Sequence, residues 1–340
     1  MPCKPGHYQD PHSRGGIRTD LAVEAREMLL KEPPGEDIPG VESQTADEKG
    51  MHISRVKITT PEAAEKLGKV MGSYITIEAP GLRKKDSHLQ EEVSQVLSRE
   101  LLALMGLEKE PGKTVLVVGL GNWNVTPDAL GPRVVQGLLV TRHILTLEPE
   151  TLGPGFRPVA ALSPGVLGLT GVETGEIIQG LGEKIRPDMI LTVDALAARN
   201  MERLHTTIQI SDTGIYPGSG VGNRRLPINR ETMGMPVFAL GVPTVVDAVT
   251  IALDAMDQLV GSLKASAGEE SKVYQVLKDM SWEDKRRLLA EVLSPYNGNL
   301  MVTPKEVDTL VEDTARLIAG GINAALHPGI EPSDASKYLH

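Results

Sequence analysis

Two aspartates, Asp128 and Asp194, each follow a short apolar run with the length and β-branched content of a buried strand. The first run, Thr114 to Val118, breaks at Gly119 and Gly121. Thr126 and Pro127 then read as an N-cap with proline at the first helical position. Asp128 therefore falls in the first turn of a helix predicted from Ala129 to about His143. The second run, Met189 to Asp194, ends on its carboxylate and leads into a small-residue turn, Ala195 to Arg199. The carboxyl edge of a sheet is where ligands and chemistry gather in open α/β folds. Two carboxylates meeting there cannot easily both ionise, so one keeps its proton. Such a pair suits amide hydrolysis, one group activating water and the other protonating the leaving nitrogen. The first-turn position favours a charged Asp128 as base, with Asp194 as acid. The same positions also suit a helix-dipole partner and a turn residue, and spacing alone does not separate these readings.

Other motifs carry less. Asp212-Thr213-Gly214 follows an apolar strand as in pepsin-like proteases, but that family is all-β and repeats the motif, and this chain has one copy. A turn aspartate supporting the site is the alternative. The glycine-dense segments Gly165 to Gly171 and Gly218 to Gly222 could offer backbone N–H groups to an oxyanion, with Gly165, Gly218 and Gly220 as the donors' neighbourhood. Gly121 and Asn122 complete the loop before Asp128. No Walker loop, dinucleotide fingerprint, His-Glu-x-x-His or Gly-x-Ser-x-Gly occurs. His143, late in the predicted Asp128 helix, is the histidine nearest this chemistry, or simply a partner of that helix's C-terminus.

The elements that must position these groups alternate. Strands are predicted at 53–59, 72–79, 114–118, 157–163, 189–194, 206–211 and 237–241. Helices are predicted at 61–67 (stopped by Gly68), 88–107, 129–143, 172–182, 245–260 and 283–294. Thr303 to Glu306 has the pattern of a capping box opening a last helix to about Ala325. Residues 1–16 and 32–50 read as loop, and 261–273 as a polar linker. This order argues for an α/β three-layer sandwich with a mainly parallel sheet. The chain has 340 residues, 40% hydrophobic but only 3% aromatic, so its core is aliphatic. A net charge of −10 argues against direct nucleic-acid binding, and a single cysteine, Cys3, excludes intrachain disulfides. No apolar run is long enough for a membrane span or a signal peptide, so a soluble, cytoplasmic protein is expected.

Several long blocks resemble the germination protease family of spore-forming bacteria. They are Ile17 to Ala25, Gly119 to Pro132, Val193 to Arg199, Ile208 to Gly214, Pro217 to Asn223, Pro243 to Ala248 and Leu300 to Asp308. The resemblance runs in order from about Ile17 to His327. It implies an atypical aspartic endopeptidase, without cofactor, that degrades small acid-soluble spore proteins during germination in the spore core. A fold similar to hydrogenase-maturation endopeptidases and a homotetrameric assembly are implied with it. The family's two proposed catalytic aspartates fall on Asp128 and Asp194. A metal-dependent peptidase with the same carboxylates as ligands is the alternative. The resemblance further implies a zymogen that cuts itself. Thr19 to Glu24 looks like the substrate consensus of an acidic residue, an apolar one, alanine, a small residue and glutamate. Cleavage is expected between Asp20 and Leu21, dividing a propeptide and disordered lead-in (1–20) from one peptidase domain (21–340) with a shortened, variable segment at 261–282.

Overall fold

Strands buried on both faces read as continuous apolar runs, while those with one wet face alternate with period two. In the computed structural model, which describes residues 19–30, 38–110, 112–148, 150–152, 154–216, 226–267, 272–292 and 300–329, nine strands form one sheet. They are β1 (Val41–Glu48), β2 (Met51–Ile58), β3 (Gly72–Glu78), β4 (Val115–Gly119), β5 (Val159–Leu162), β6 (Met189–Ala198), β7 (Thr207–Ser211), β8 (Val237–Asp247) and β9 (Met301–Val302). The order is β1-β2-β3-β7-β8-β6-β4-β5, with β9 paired to β8. Strands β5, β4, β6 and β8 run parallel, while β1, β2, β3 and β7 make an antiparallel wing.

Twelve described helices lie around it: α1 (Ala22–Leu30), α2 (Pro61–Leu67), α3 (Ser87–Met105), α4 (Leu130–Gln136), α5 (Arg142–Leu147), α6 (Leu167–Thr170), α7 (Thr174–Ile185), α8 (Arg230–Met233), α9 (Ala248–Ala267), α10 (Lys272–Asp279), α11 (Trp282–Val292) and α12 (Val307–Leu326). One sheet face buries Val115, Val117, Leu191, Val193, Ile208 and Ile210 against α3, α4 and α12. On the other face, Leu116, Val118 and Ile190 pack on α7 and α8. Val56, Ile58 and Tyr74 on that same face pack on α1 and α2. The result is the expected α/β sandwich of helices, sheet and helices. Its second helical layer comes in two parts, α7/α8 and α1/α2, and the sheet floor between them holds the site.

Several local expectations are corrected. Strand β6 does not end at Asp194. It continues to Ala198 because β8 runs beside it from Asp194↔Gly241 to Ala198↔Val246, with one bulge after Leu196. The small residues Ala195 to Ala198 belong to a strand packed close to other backbone, not to a turn. Likewise β8 extends to Asp247, so the following helix starts at Ala248 rather than Val245 and runs on through 261–267, the start of the expected linker. Residues 41–48, read as loop, form β1. It is an edge strand exposed on both sides, which leaves no apolar alternation to detect. Thr303 does not cap the last helix, whose N-cap is Glu306; its hydroxyl donates to the Thr244 carbonyl at 2.9 Å.

The helix after Asp128 is also shorter than its apolar pattern. Helix α4 stops at Gln136, where the Asn323 amide accepts from the Leu139 N–H and donates to the Gly137 carbonyl, both at 2.9 Å. His143 consequently sits on a separate helix, α5, and is exposed. The lead-in to Arg18, with Cys3, lies outside the described residues, as does Pro217 to Arg225, which contains Gly218 and Gly220.

Candidate active site

Asp194 is placed by the sheet. It sits in register with Gly241 of β8, and Gly241 is in register with Gln209 of β7. Residues directly opposite on neighbouring strands point to the same face, so Asp194 and Gln209 rise from one row about 10 Å apart, two strand spacings. Gly241 contributes no side chain between them. Leu196 lies over it, and a Cβ there would stand 2.5 Å from the leucine side chain.

Asp128 is placed by backbone packing. It ends a 3-10 turn, Thr126–Asp128, with Ala129 as N-cap of α4 and no side-chain cap. The first-turn argument for a charged Asp128 therefore does not hold. The loop is instead closed on itself: Asn122 N–H donates to the Asp128 carbonyl (3.1 Å) and Asp128 N–H donates to the Val125 carbonyl (2.8 Å). Gly121, at φ +117°, passes so near that a Cβ would fall on the Asp128 carbonyl oxygen. Gly131 then lets α4 approach β6. A Cβ there would stand 2.6 Å from the Val193 carbonyl oxygen, one residue before Asp194. The Leu120 N–H donates to that same oxygen at 2.8 Å. These contacts hold the Asp128 loop against the Asp194 strand.

Both aspartates line one cavity of ≈ 610 Å³, together with Gly121, Gly165, Gln209, Thr213, Gly214, Lys69 and Asp20. Both are half-buried, and the Ala195 N–H donates to Asp194 Oδ1 at 2.9 Å. Two expected site residues turn elsewhere. Asn122 Oδ1 accepts from the Asn124 N–H within its own turn. Asp212 Oδ1 accepts from the Ser73 N–H at 2.7 Å, tying the end of β7 to β3, while its neighbours Thr213 and Gly214 face the cavity. Tyr74 also lines it; burial pushes its phenol up to about 12, and the hydroxyl donates to the Val70 carbonyl at 2.8 Å. Among the described residues, no group of three or more His, Cys, Asp or Glu is arranged to hold a metal ion.

A segment of the chain itself borders this cavity at Asp20. The Asp20 N–H donates to the Ala197 carbonyl (3.0 Å), and Asp20 Oδ2 accepts the Ala197 N–H (2.8 Å). Leu21 is fully buried with Val23 among Leu196, Ala198, Leu204 and Val246. Glu24, only 2% exposed, accepts from the N–H groups of Arg199 and Asn200 and from the Thr19 hydroxyl, and pairs with Arg203 at 3.3 Å. Arg203 also grips Glu27 and Glu78, at 2.7 and 2.8 Å. Lys69 Nζ donates to the Thr19 carbonyl at 3.0 Å. Burial pushes the Lys69 ammonium below lysine's usual value, against the pull of Asp20 and Glu24. Sequence reasoning missed Lys69, Gln209 and Arg203, since no motif marks them and only strand register and the Thr19 to Glu24 segment bring them together.

The family model described as Germination protease matches residues 22–281 and 265–339 of the chain. The germination protease of Caldanaerobacter subterraneus is 54% identical over 325 residues, covering 96% of this chain and 98% of the relative. That of Clostridium tetani is 46% identical, covering 95% and 99%. That of Bacillus mycoides is 46% identical, covering 96% and 98%.

Proposed function

The chain belongs to the germination protease family, and from that premise we propose that it is a self-processing endopeptidase whose water is activated by the pair Asp128 and Asp194. One carboxylate takes a proton from the attacking water while the other, protonated, gives one to the leaving nitrogen. Its substrates are the small acid-soluble proteins of the spore core, and its own first substrate is the Asp20–Leu21 bond. The observation that carries this reading is the shared cavity: Asp20 lines the same space as the two aspartates, with the Thr19 carbonyl held by Lys69 and the Ala22 N–H by Gln209. One main-chain bond, from the Asp20 N–H to the Ala197 carbonyl, sets this residue beside β6, and its own carboxylate takes the Ala197 N–H. A homotetramer is part of the same proposal, read by light scattering on the purified protein.

The test is an acid-shift incubation of the full-length chain beside Asp128→Asn and Asp194→Asn, followed by intact mass. Loss of residues 1–20 in wild type alone supports the cut site and both aspartates. Loss in wild type and both variants removes the aspartates from the mechanism. Cleavage that stops under exhaustive chelation and returns with added metal would favour the metal-dependent alternative.

A further inference from the structure

Gln209 is buried to 8% exposure on β7, and both ends of its amide are engaged by the segment that borders the cavity. Its Nε2 donates to the Asp20 carbonyl oxygen at 3.2 Å, and its Oε1 accepts the Ala22 N–H at 2.7 Å. The orientation of the amide is fixed by its partners, because a carbonyl only accepts and an N–H only donates. The two contacts bracket Leu21, whose side chain is fully buried. The Asp20–Leu21 bond is therefore gripped on its carbonyl and one residue beyond its nitrogen, by a side chain in the same sheet row as Asp194.

We infer that Gln209 is a catalytic residue of the peptidase: its Nε2–H polarises the carbonyl of the bond to be cut and holds the oxyanion that forms there. This rests on the self-processing reading above. Water adds to the Asp20 carbonyl carbon, its proton passing to the ionised carboxylate of the Asp128–Asp194 pair. The carbonyl π electrons move to the oxygen facing Gln209. Collapse of the tetrahedral species breaks the carbon–nitrogen bond, and the Leu21 nitrogen takes the proton of the other carboxyl group. One water is consumed, leaving a carboxylate on Asp20 and an α-amine on Leu21. The donor does its work where negative charge develops, which is the position at which a preorganised hydrogen bond contributes most. A peptide substrate supplied from outside would meet the same amide in the same row. Lys69, on the next carbonyl upstream, is a positioning residue in this scheme.

The experiment compares the first-order rate of loss of residues 1–20 in the full-length chain for wild type, Gln209→Glu and Gln209→Met. Gln209→Glu keeps the size and the acceptor for Ala22 but, ionised, lacks the donor. The expected result is a slowing of about 10²–10³-fold near neutral pH, the cost of one oxyanion donor. As the pH falls into the carboxyl range, the ratio to wild type should recover, because a protonated Glu donates again. Gln209→Met should stay slow at every pH. A Gln209→Glu rate within three-fold of wild type near neutral pH overturns the inference. Equal slowing of both variants with no recovery also overturns it, since that is a packing role.

A second measurement needs no turnover. Asp20–Leu21 is the only Asp-Leu pair in the sequence, so ¹³C-carbonyl aspartate with ¹⁵N leucine gives one correlation for that bond. In an Asp128→Asn chain, Gln209→Glu should move the carbonyl signal upfield; an unmoved signal sinks the contact. If wild type and the aspartate variants all fail to cleave as proposed, the peptidase reading falls and takes this inference with it. If they behave as proposed and Gln209→Glu is at wild-type rate, only the role of Gln209 falls.

Discussion

Replacing Gly131 by alanine tests whether backbone packing, rather than any side chain, sets the two aspartates together. The new Cβ would stand 2.5 Å from the Leu120 nitrogen and 2.6 Å from the Val193 carbonyl oxygen, and would also press on the Leu120 carbonyl. All three are backbone atoms, so no side-chain rotation relieves the clash. Ordinary contact requires a separation of roughly 1 Å more. Leu120 and Val193 are joined to each other by a hydrogen bond of 2.8 Å, so α4 must move away from both together. Overpacking of this kind costs about 1–3 kcal/mol, and a destabilisation of that size is expected. The same shift moves the Asp128 loop away from the Asp194 strand. A misplacement of about 1 Å in a catalytic group costs about 10²-fold in rate. The control is Gly180→Ala in α7, where an added Cβ meets nothing within 4 Å. Helical glycine to alanine there should gain about 0.5–1 kcal/mol and leave the rate unchanged. Urea unfolding gives the stabilities, and intact mass gives the rate of loss of residues 1–20 under conditions where both variants are folded. A Gly131→Ala protein as stable as Gly180→Ala, or cleaving within three-fold of wild type, would refute the packing argument.

Three further outcomes are expected. Arg203→Met leaves Glu24 and Glu78 without their shared cation; it should cost about 3 kcal/mol in urea unfolding and expose α1 to limited proteolysis, and α1 protected as in wild type would contradict this. His327 accepts the Arg157 N–H on Nδ1 and donates from Nε2 to the Leu139 carbonyl, an arrangement only the neutral ring allows, and burial pushes it down to about 4. The unfolded chain, near 6.5, then binds the extra proton first, so stability is intact above about pH 6.5 and declines as pH falls toward 4, by up to about 3 kcal/mol; His327→Gln should flatten that part of the stability–pH curve, and an unchanged slope would exclude the assignment. Asp212→Ala should cost about 1 kcal/mol through the lost Ser73 bond while cleavage stays within a few-fold of wild type, whereas loss of cleavage in a folded Asp212→Ala protein would restore a role in the chemistry.

What was legible in the sequence follows physical periodicity. Strands β4, β6 and β8 announce themselves because both faces are buried and the runs are continuously apolar. Helix α2 was readable to the residue, since Thr60 caps it and Gly68 closes it in the left-handed conformation. Strand β1 was invisible, being polar on two exposed faces. The end of β6 was misread because small residues suit a turn and a close-packed strand equally well, and only the neighbouring β8 decides between them. The length of α4 was set from outside by Asn323, almost two hundred residues along the chain.

The site divides the same way. Asp128 was reachable because it comes after the buried strand β4, and Asp194 because it directly follows the buried apolar run that opens β6, both local facts. Gln209 was not, because its relation to Asp194 exists only through Gly241 on a third strand. Period-two patterning tells which face a residue takes but not which row, and row is what sets Gln209 in line with Asp194 across Gly241. The polar residue in Ile208-Gln209-Ile210 was nonetheless a usable signal. A strand whose neighbours are all buried should not place an amide on its second face without a partner for it. Here that partner is the chain's own Asp20–Leu21–Ala22 backbone. Cleavage after Asp20 would release only the Nε2 donor, since Ala22 stays on Oε1, and the freed donor is then open to the carbonyl of an incoming peptide. That opening links the residue to substrates as well as to the precursor.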